Sequence, residues 1–177
     1  IHPPASGQCC TGRWLAGMKI ENRKRIKIES VDHENVNNQV WIVEDGQTGD
    51  EDKILRCAKE PDFVVDKRWK DDGISIEGSV VHMYSWEGKS NQRWIIHKIP
   101  SSLWVCIQTA IQKDPFRVLG VDSEGWLRLQ DSDGSDRQKW LLFHAPHIPD
   151  GQYYMINAAS IDKVLTVIDQ TSIGMRD

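Results

Sequence analysis

Apolar and polar positions alternate in short blocks along the whole chain. Three apolar runs begin at a tryptophan (WIVED from Trp41, WIIHK from Trp94, WLLFH from Trp140). Each leads into a turn rich in Pro, Gly, Asp or Ser (DGQTGDED, PSS, APHIPDG). A second run then follows (KILRCA, LWVCIQTA, QYYMINAA), and after it a third (FVVDK, FRVLGVD, KVLTVID). Short β-branched and aromatic segments at this spacing, separated by turn residues, read as strands of an all-β domain. Almost nothing supports helices.

The blocks belong to a repeat. NNQVW, SNQRW and DRQKW each place Gln two residues before Trp; 53 residues separate Gln39 from Gln92 and 46 separate Gln92 from Gln138. The period is near fifty, with insertions. Three units of about four strands suit a barrel with threefold pseudosymmetry and a cap of hairpins, because closure removes exposed strand edges. Each Trp then serves as an apolar plug in a shared core, and each Gln can satisfy loop backbone.

Three Gln-x-Trp triplets, two of them preceded by Asn, resemble the ricin B-type lectin family of β-trefoils over nearly the whole chain. The resemblance implies a β-trefoil fold and galactose- or N-acetylgalactosamine-type ligands, bound by a strand Asp, a stacking aromatic and the Asn before Gln-x-Trp. A carboxylate suits paired hydroxyls, and an aromatic face suits the C–H patch of a sugar ring. By this resemblance FVVDKRWKDDGISIEGSVVHMYSWEGKSNQRW supplies Asp66, Tyr84, Asn91 and Gln92. His82 lies two residues before Tyr84 on the same strand face, and Val81 and Met83 take the alternate, core-facing positions. Trp69 and Trp86 are further aromatics nearby.

The other repeats are less complete. In the third, Asp122, Trp126 and Gln138 form a second, weaker candidate site, with Gln130 at the aromatic position and Arg137 in place of Asn. In the first, Asn38 is retained, Met18 or a neighbour stands at the Asp position, and Glu29 or Val31 at the aromatic one. Residues 1–150 hold the three repeats. Residues 151–177 (QYYMINAASIDKVLTVID onward) either complete the first repeat, with Thr166 then at its Asp position, or begin a further domain. GRWLAGM is the first repeat's own early strand.

Composition narrows the function. The chain has 177 residues and a net charge of -4 from 22 basic and 26 acidic residues, which leaves no polyanion-binding excess and argues against nucleic acid. Apolar runs such as Trp140 to Phe143 fall far short of a membrane-inserting helix. The start at Ile1 marks a processed product or a fragment. Cys57 and Cys106 lie in apolar runs and read as buried free thiols, while adjacent Cys9 and Cys10 cannot easily bridge each other.

Asp131 to Asp136 (DSDGSD) reads as a hairpin turn, since its Gly is at the fourth position and no Glu stands at the twelfth. His144 and His147 have ligand spacing without further ligands close by in sequence, so no metal and no cofactor are expected. No hydrolase, phosphate-loop or metalloprotease motif occurs. The expectation is a non-catalytic binder of glycans or glycoproteins, with a homodimer as a source of avidity. The alternative is a proteinase inhibitor acting through an exposed loop such as DGQTGDED or KRWKDDG, and a third reading is a carbohydrate-binding module of a larger toxin or glycosidase. The compartment stays open.

Overall fold

The computed structural model describes residues 24–47, 51–68, 79–111 and 116–168. GRWLAGM, Met18, Cys9, Cys10 and Trp69 lie outside them. The described residues form twelve strands: β1 (Lys24–Ser30), β2 (Val40–Asp45), β3 (Asp52–Cys57), β4 (Glu60–Lys67), β5 (Ser79–Ser85), β6 (Trp94–Lys98), β7 (Val105–Thr109), β8 (Arg117–Val121), β9 (Leu127–Asp131), β10 (Trp140–Phe143), β11 (Gln152–Asn157) and β12 (Ser160–Ile168). All pair antiparallel within one sheet, which closes because β1 pairs β12 on one side and β5 on the other. The protein is an all-β barrel.

The strands fall into three sets of four: β3 to β6, β7 to β10, and a set made of β11, β12, β1 and β2. In the last, β12 pairs β1 from Arg25↔Ile168 to Ser30↔Lys163, and β11 pairs β2 through Tyr153↔Trp41. Pairing buries apolar residues of 152–157 that would otherwise meet water: Tyr154 and Met155 are both buried.

The repeated Gln-x-Trp triplet makes one set of bonds three times. Trp41, Trp94 and Trp140 are each 0 % exposed. Their indole N–H groups donate to Leu165 O at 2.9 Å, Val65 O at 3.0 Å and Leu119 O at 2.9 Å. Each Gln clamps the turn before it. Gln39, Gln92 and Gln138 donate through Nε2 to the carbonyls of Ser30, Ser85 and Asp131, each at 2.8 Å. Their Oε1 atoms accept from the backbone N–H of Asp32, Glu87 and Asp133 at 2.8, 2.8 and 2.9 Å. Buried loop backbone thus finds the partners that burial demands. Those turns bend at Gly88 and Gly134, six residues before their Trp, both with φ +71°, where a side chain would be strained.

Around the tryptophans the core gathers Ile26, Leu55, Val65, Met83, Ile107, Leu119, Leu129, Met155 and Leu165. Lys67 is 2 % exposed and stands one residue beyond the Asp66 position, where the other sets place the core residues Val121 and Val167.

Candidate functional site

The indole bonds fix the register of the repeats, since Val65, Leu119 and Leu165 occupy one equivalent position. Asp66 is therefore equivalent to Gly120 and Thr166. Cross-strand pairs extend the equivalence: Asp66↔His82, Gly120↔Arg128 and Thr166↔Lys27, and two residues along, Val64↔Tyr84, Val118↔Gln130 and Val164↔Glu29.

In the middle set these positions assemble a polar cluster. β4 alternates Val65, in the central core, with Val64 and Asp66 on its other face, both also buried, and β5 alternates Val81 and Met83, both in the core, with His82 and Tyr84. His82 Nε2 lies 3.1 Å from Asp66 Oδ1, and since a carboxylate only accepts, that nitrogen carries the proton. A tight 3₁₀ turn, Ser90–Gln92, turns Asn91 inward, and its Nδ2 donates to Asp66 Oδ2 at 3.1 Å and to Lys67 O at 2.9 Å. Asp66, His82 and Asn91 are 4, 4 and 3 % exposed. The Tyr84 ring, half-buried, tilts against His82 with centroids 6.1 Å apart.

One atom of this cluster stands out. Both amide hydrogens of Asn91 are used, yet its Oδ1 is buried with no hydrogen-bond partner. An orphaned buried acceptor costs about 1–3 kcal/mol, a cost that a donor from outside the chain, a water or a ligand hydroxyl, removes. Each Asp66 oxygen also keeps a second lone pair. The arrangement can accept two or three hydroxyl protons beside a phenol ring.

The structure brings together Asp66, His82, Tyr84 and Asn91. Gln92 it does not: the side chain is 0 % exposed and both ends serve backbone, so it is a structural clamp.

The third set departs from the sequence expectation. Asp122 is not at the Asp66 position but two residues past it, where it closes the β8–β9 turn. Its Oδ1 accepts from Glu124 N at 3.0 Å and Trp126 N at 2.9 Å, and its Oδ2 from Arg128 Nε at 2.9 Å. Burial pushes its carboxyl up, but these bonds outweigh burial and hold it below the ordinary range. Trp126 is no free platform, because the Arg25 guanidinium lies 3.6 Å above its ring and Lys27 pairs with it across the sheet. Gln138 is a clamp like Gln92 and also donates to Gln130 Oε1 at 3.3 Å. Gln130 itself fills the space beside Gly120: a Cβ there would meet Gln130 Oε1 at 2.2 Å.

In the first set Glu29 takes the aromatic position. Thr166 stands where Asp would be and receives the Gln39 amide at 3.1 Å, while Asn38 Oδ1 is again buried without a partner.

No family model matches the chain, and no curated protein matches it significantly. Solved structures do. The designed threefold-symmetric protein ThreeFoil superposes with a TM-score of 0.54 at 17 % identity, covering 70 % of this chain and 99 % of that one. An exo-β-1,3-galactanase from Clostridium thermocellum superposes with a TM-score of 0.51 at 19 % identity, covering 70 % of this chain and 30 % of the enzyme. Both likenesses carry the fold: a threefold-repeated all-β barrel.

The remaining candidates are accounted for by local structure. In DSDGSD, Asp133 accepts from Ser135 N at 2.8 Å, Asp131 faces Arg117 at 3.1 Å and Asp136 faces Lys139 at 2.8 Å, so the carboxylates serve a turn. His147 meets Tyr154 Oη at 3.1 Å and His144 faces Asp150 at 3.6 Å. Cys57 is buried and Cys106 half-buried, and burial pushes both thiols up. Of the loops offered for protease inhibition, residues 48–50 and 69–73 lie outside the described residues.

Sequence reasoning missed a groove of about 500 Å³ lined by Glu44, Arg56, Pro61, Asp62, Ser85 and Trp86. Its signal was the same period-2 alternation that gave His82 and Tyr84, continued to Trp86, and from Asp66 back through Val64 to Asp62.

Proposed function

We propose that the protein is a non-catalytic carbohydrate-binding domain of β-trefoil fold, related in plan to the ricin B-type lectins, and that the middle repeat holds a galactose- or N-acetylgalactosamine-type sugar. The observation that carries this reading is the buried, unpartnered Oδ1 of Asn91 beside the Asp66 carboxylate. In this reading a sugar hydroxyl donates to Asn91 Oδ1, two hydroxyls share the free lone pairs of Asp66, and Tyr84 covers the C–H face of the ring. His82 holds the carboxylate in place. The galactanase neighbour, by its name an enzyme acting on β-1,3-galactan, supports the choice of galactose. That the chain covers 30 % of that enzyme favours a second setting for the same activity, as the binding module of a larger carbohydrate-active protein.

Binding is weak in this reading. Asp66 and Asn91 are nearly closed to solvent in the free protein, so part of the interaction energy goes into admitting the ligand. A single sugar then binds at about 0.1–1 mM, or roughly -5.5 to -4 kcal/mol. Avidity follows from more than one site or from self-association. Titration of galactose and N-acetylgalactosamine, followed by the amide signals of Asn91 and His82, tests the reading. Saturable shifts at both support it; no shift with either sugar up to tens of millimolar removes it.

A further inference from the structure

The outward face of the β4–β5 hairpin does not end at Tyr84. Along β5 and just beyond it, His82, Tyr84 and Trp86 share that face at successive alternate positions, and along β4 their partners are Asp66, Val64 and Asp62. The last rung is closed by a backbone bond from Trp86 N to Asp62 O at 3.0 Å. A carboxylate and an aromatic or imidazole ring therefore face each other twice, with the Tyr84 rung between.

β3 ties the two ends together. Arg56 pairs with Val64, the partner of Tyr84, and so lies on the same face one strand over. Its side chain runs toward the far rung: Nε donates to Glu44 Oε2 at 2.6 Å, a terminal nitrogen donates to Pro61 O at 2.8 Å, and the guanidinium stands 5.6 Å from the Trp86 ring. These bonds fix one wall of the groove of about 500 Å³, within the range of small-ligand sites. Trp86 and the exposed Asp62 and Ser85 complete the lining.

We propose that this groove is a second saccharide subsite, continuous with the Asp66–Tyr84 site, so that the protein takes a neutral oligosaccharide of two or three units rather than a single sugar. The proposal rests on the sugar-binding reading above and extends it. Asp62 and Asp66 are four positions apart, about 13 Å along an extended strand, longer than one pyranose ring. The groove repeats the chemistry that suits sugars, an aromatic face with carboxylate acceptors beside it. Glu44 and Asp62 against Arg56 leave one surplus negative charge, and the guanidinium is committed to Glu44 and Pro61, so sialylated or sulfated chains are disfavoured.

The test titrates galactose, N-acetylgalactosamine and a panel of neutral trisaccharides ending in either sugar into the wild type, Trp86→Ala, Asp62→Asn and Asp66→Asn. The Trp86 indole N–H signal is followed throughout. The best trisaccharide is expected to bind at least tenfold more tightly than its terminal sugar and to shift the Trp86 signal, which the monosaccharide leaves in place. Trp86→Ala and the surface change Asp62→Asn should each remove most of that gain while keeping monosaccharide affinity within about twofold. If monosaccharides bind and Asp66→Asn abolishes it, but no trisaccharide exceeds its terminal sugar by more than threefold, the subsite is overturned while the sugar-binding reading stands. If neither class binds the wild type, both fall.

Discussion

Replacing Asp66 by Asn isolates the charge at the centre of the site. The amide has the shape of the carboxylate, so its Oδ1 can still accept from Asn91 Nδ2, and its Nδ2 can donate to the His82 ring in the tautomer that leaves Nε2 free. The fold should survive, with a loss on the order of 1 kcal/mol for one weakened buried contact. Binding should not. Bonds to a charged group contribute about 1.5–3 kcal/mol and neutral ones about 0.5–1.5, so two hydroxyl bonds to residue 66 lose about 2–3 kcal/mol together, a 30- to 150-fold loss of affinity. The assay is titration of galactose followed by amide shifts, with unfolding curves recorded on the same samples. Asp122→Asn is the control, since that carboxylate serves its own turn and should leave affinity within about twofold. Equal affinity for wild type and Asp66→Asn, or a larger loss for Asp122→Asn, would refute the assignment.

Other consequences follow from the same structure. Trp41→Phe, Trp94→Phe and Trp140→Phe each strand a buried carbonyl and shrink a packed ring. Each should cost about 2–4 kcal/mol in urea unfolding, alike within about 1 kcal/mol, and one neutral variant among the three would contradict their equivalence. Because the folded Asp122 pKa is lowered, its stabilisation is complete above the unfolded value of about 3.9 and is lost as pH falls through the folded one. The stability advantage of wild type over Asp122→Asn should therefore be full at pH 6 and shrink at pH 3. Thiol reagents at neutral pH should modify Cys57 and Cys106 slowly and Cys57 the more slowly, as its deeper burial implies; instant labelling of Cys57 would be inconsistent. A chain stopped after Pro149 leaves β1 and β2 without β12 and β11 and should lose its cooperative melting transition, which an unchanged curve would disprove.

Much of the architecture was legible because the Gln-x-Trp triplet states a tertiary arrangement in a local motif: the Trp must find a core carbonyl, and the Gln must close the turn before it. The clustering of the middle-repeat residues was legible for a related reason, since FVVDK and VVHMYSW alternate cleanly and put Val65, Val81 and Met83 on the core face. The third set was misread by two residues. VLGVD offers an Asp near the expected place, and a shift of two along a strand keeps every side chain on its face, so period-2 patterning cannot detect the error. The bond from Trp140 to the carbonyl of Leu119 is what puts Gly120, not Asp122, at the position equivalent to Asp66. The outer groove was hidden differently: Glu44, Arg56 and Trp86 come from three segments whose meeting depends on pairing register.

The threefold repeat also supplies an internal comparison that bears on function. The three sets share the Trp bond, the Gln clamps and a packed core, yet they place Asp66, Gly120 and Thr166 at one equivalent position, opposite His82, Arg128 and Lys27. A barrel set that closes with Gly or Thr there has no need of a carboxylate. Burying one is costly unless it is fully paired, and the middle set surrounds it with His82 and an Asn91 whose own acceptor remains unmatched. In the third set Gln130 plugs the space beside Gly120. The first set shares the unmatched amide acceptor, at Asn38, but among the described residues the middle repeat alone sets a buried carboxylate beside it, and a hydroxyl-rich ligand would offset the cost of both.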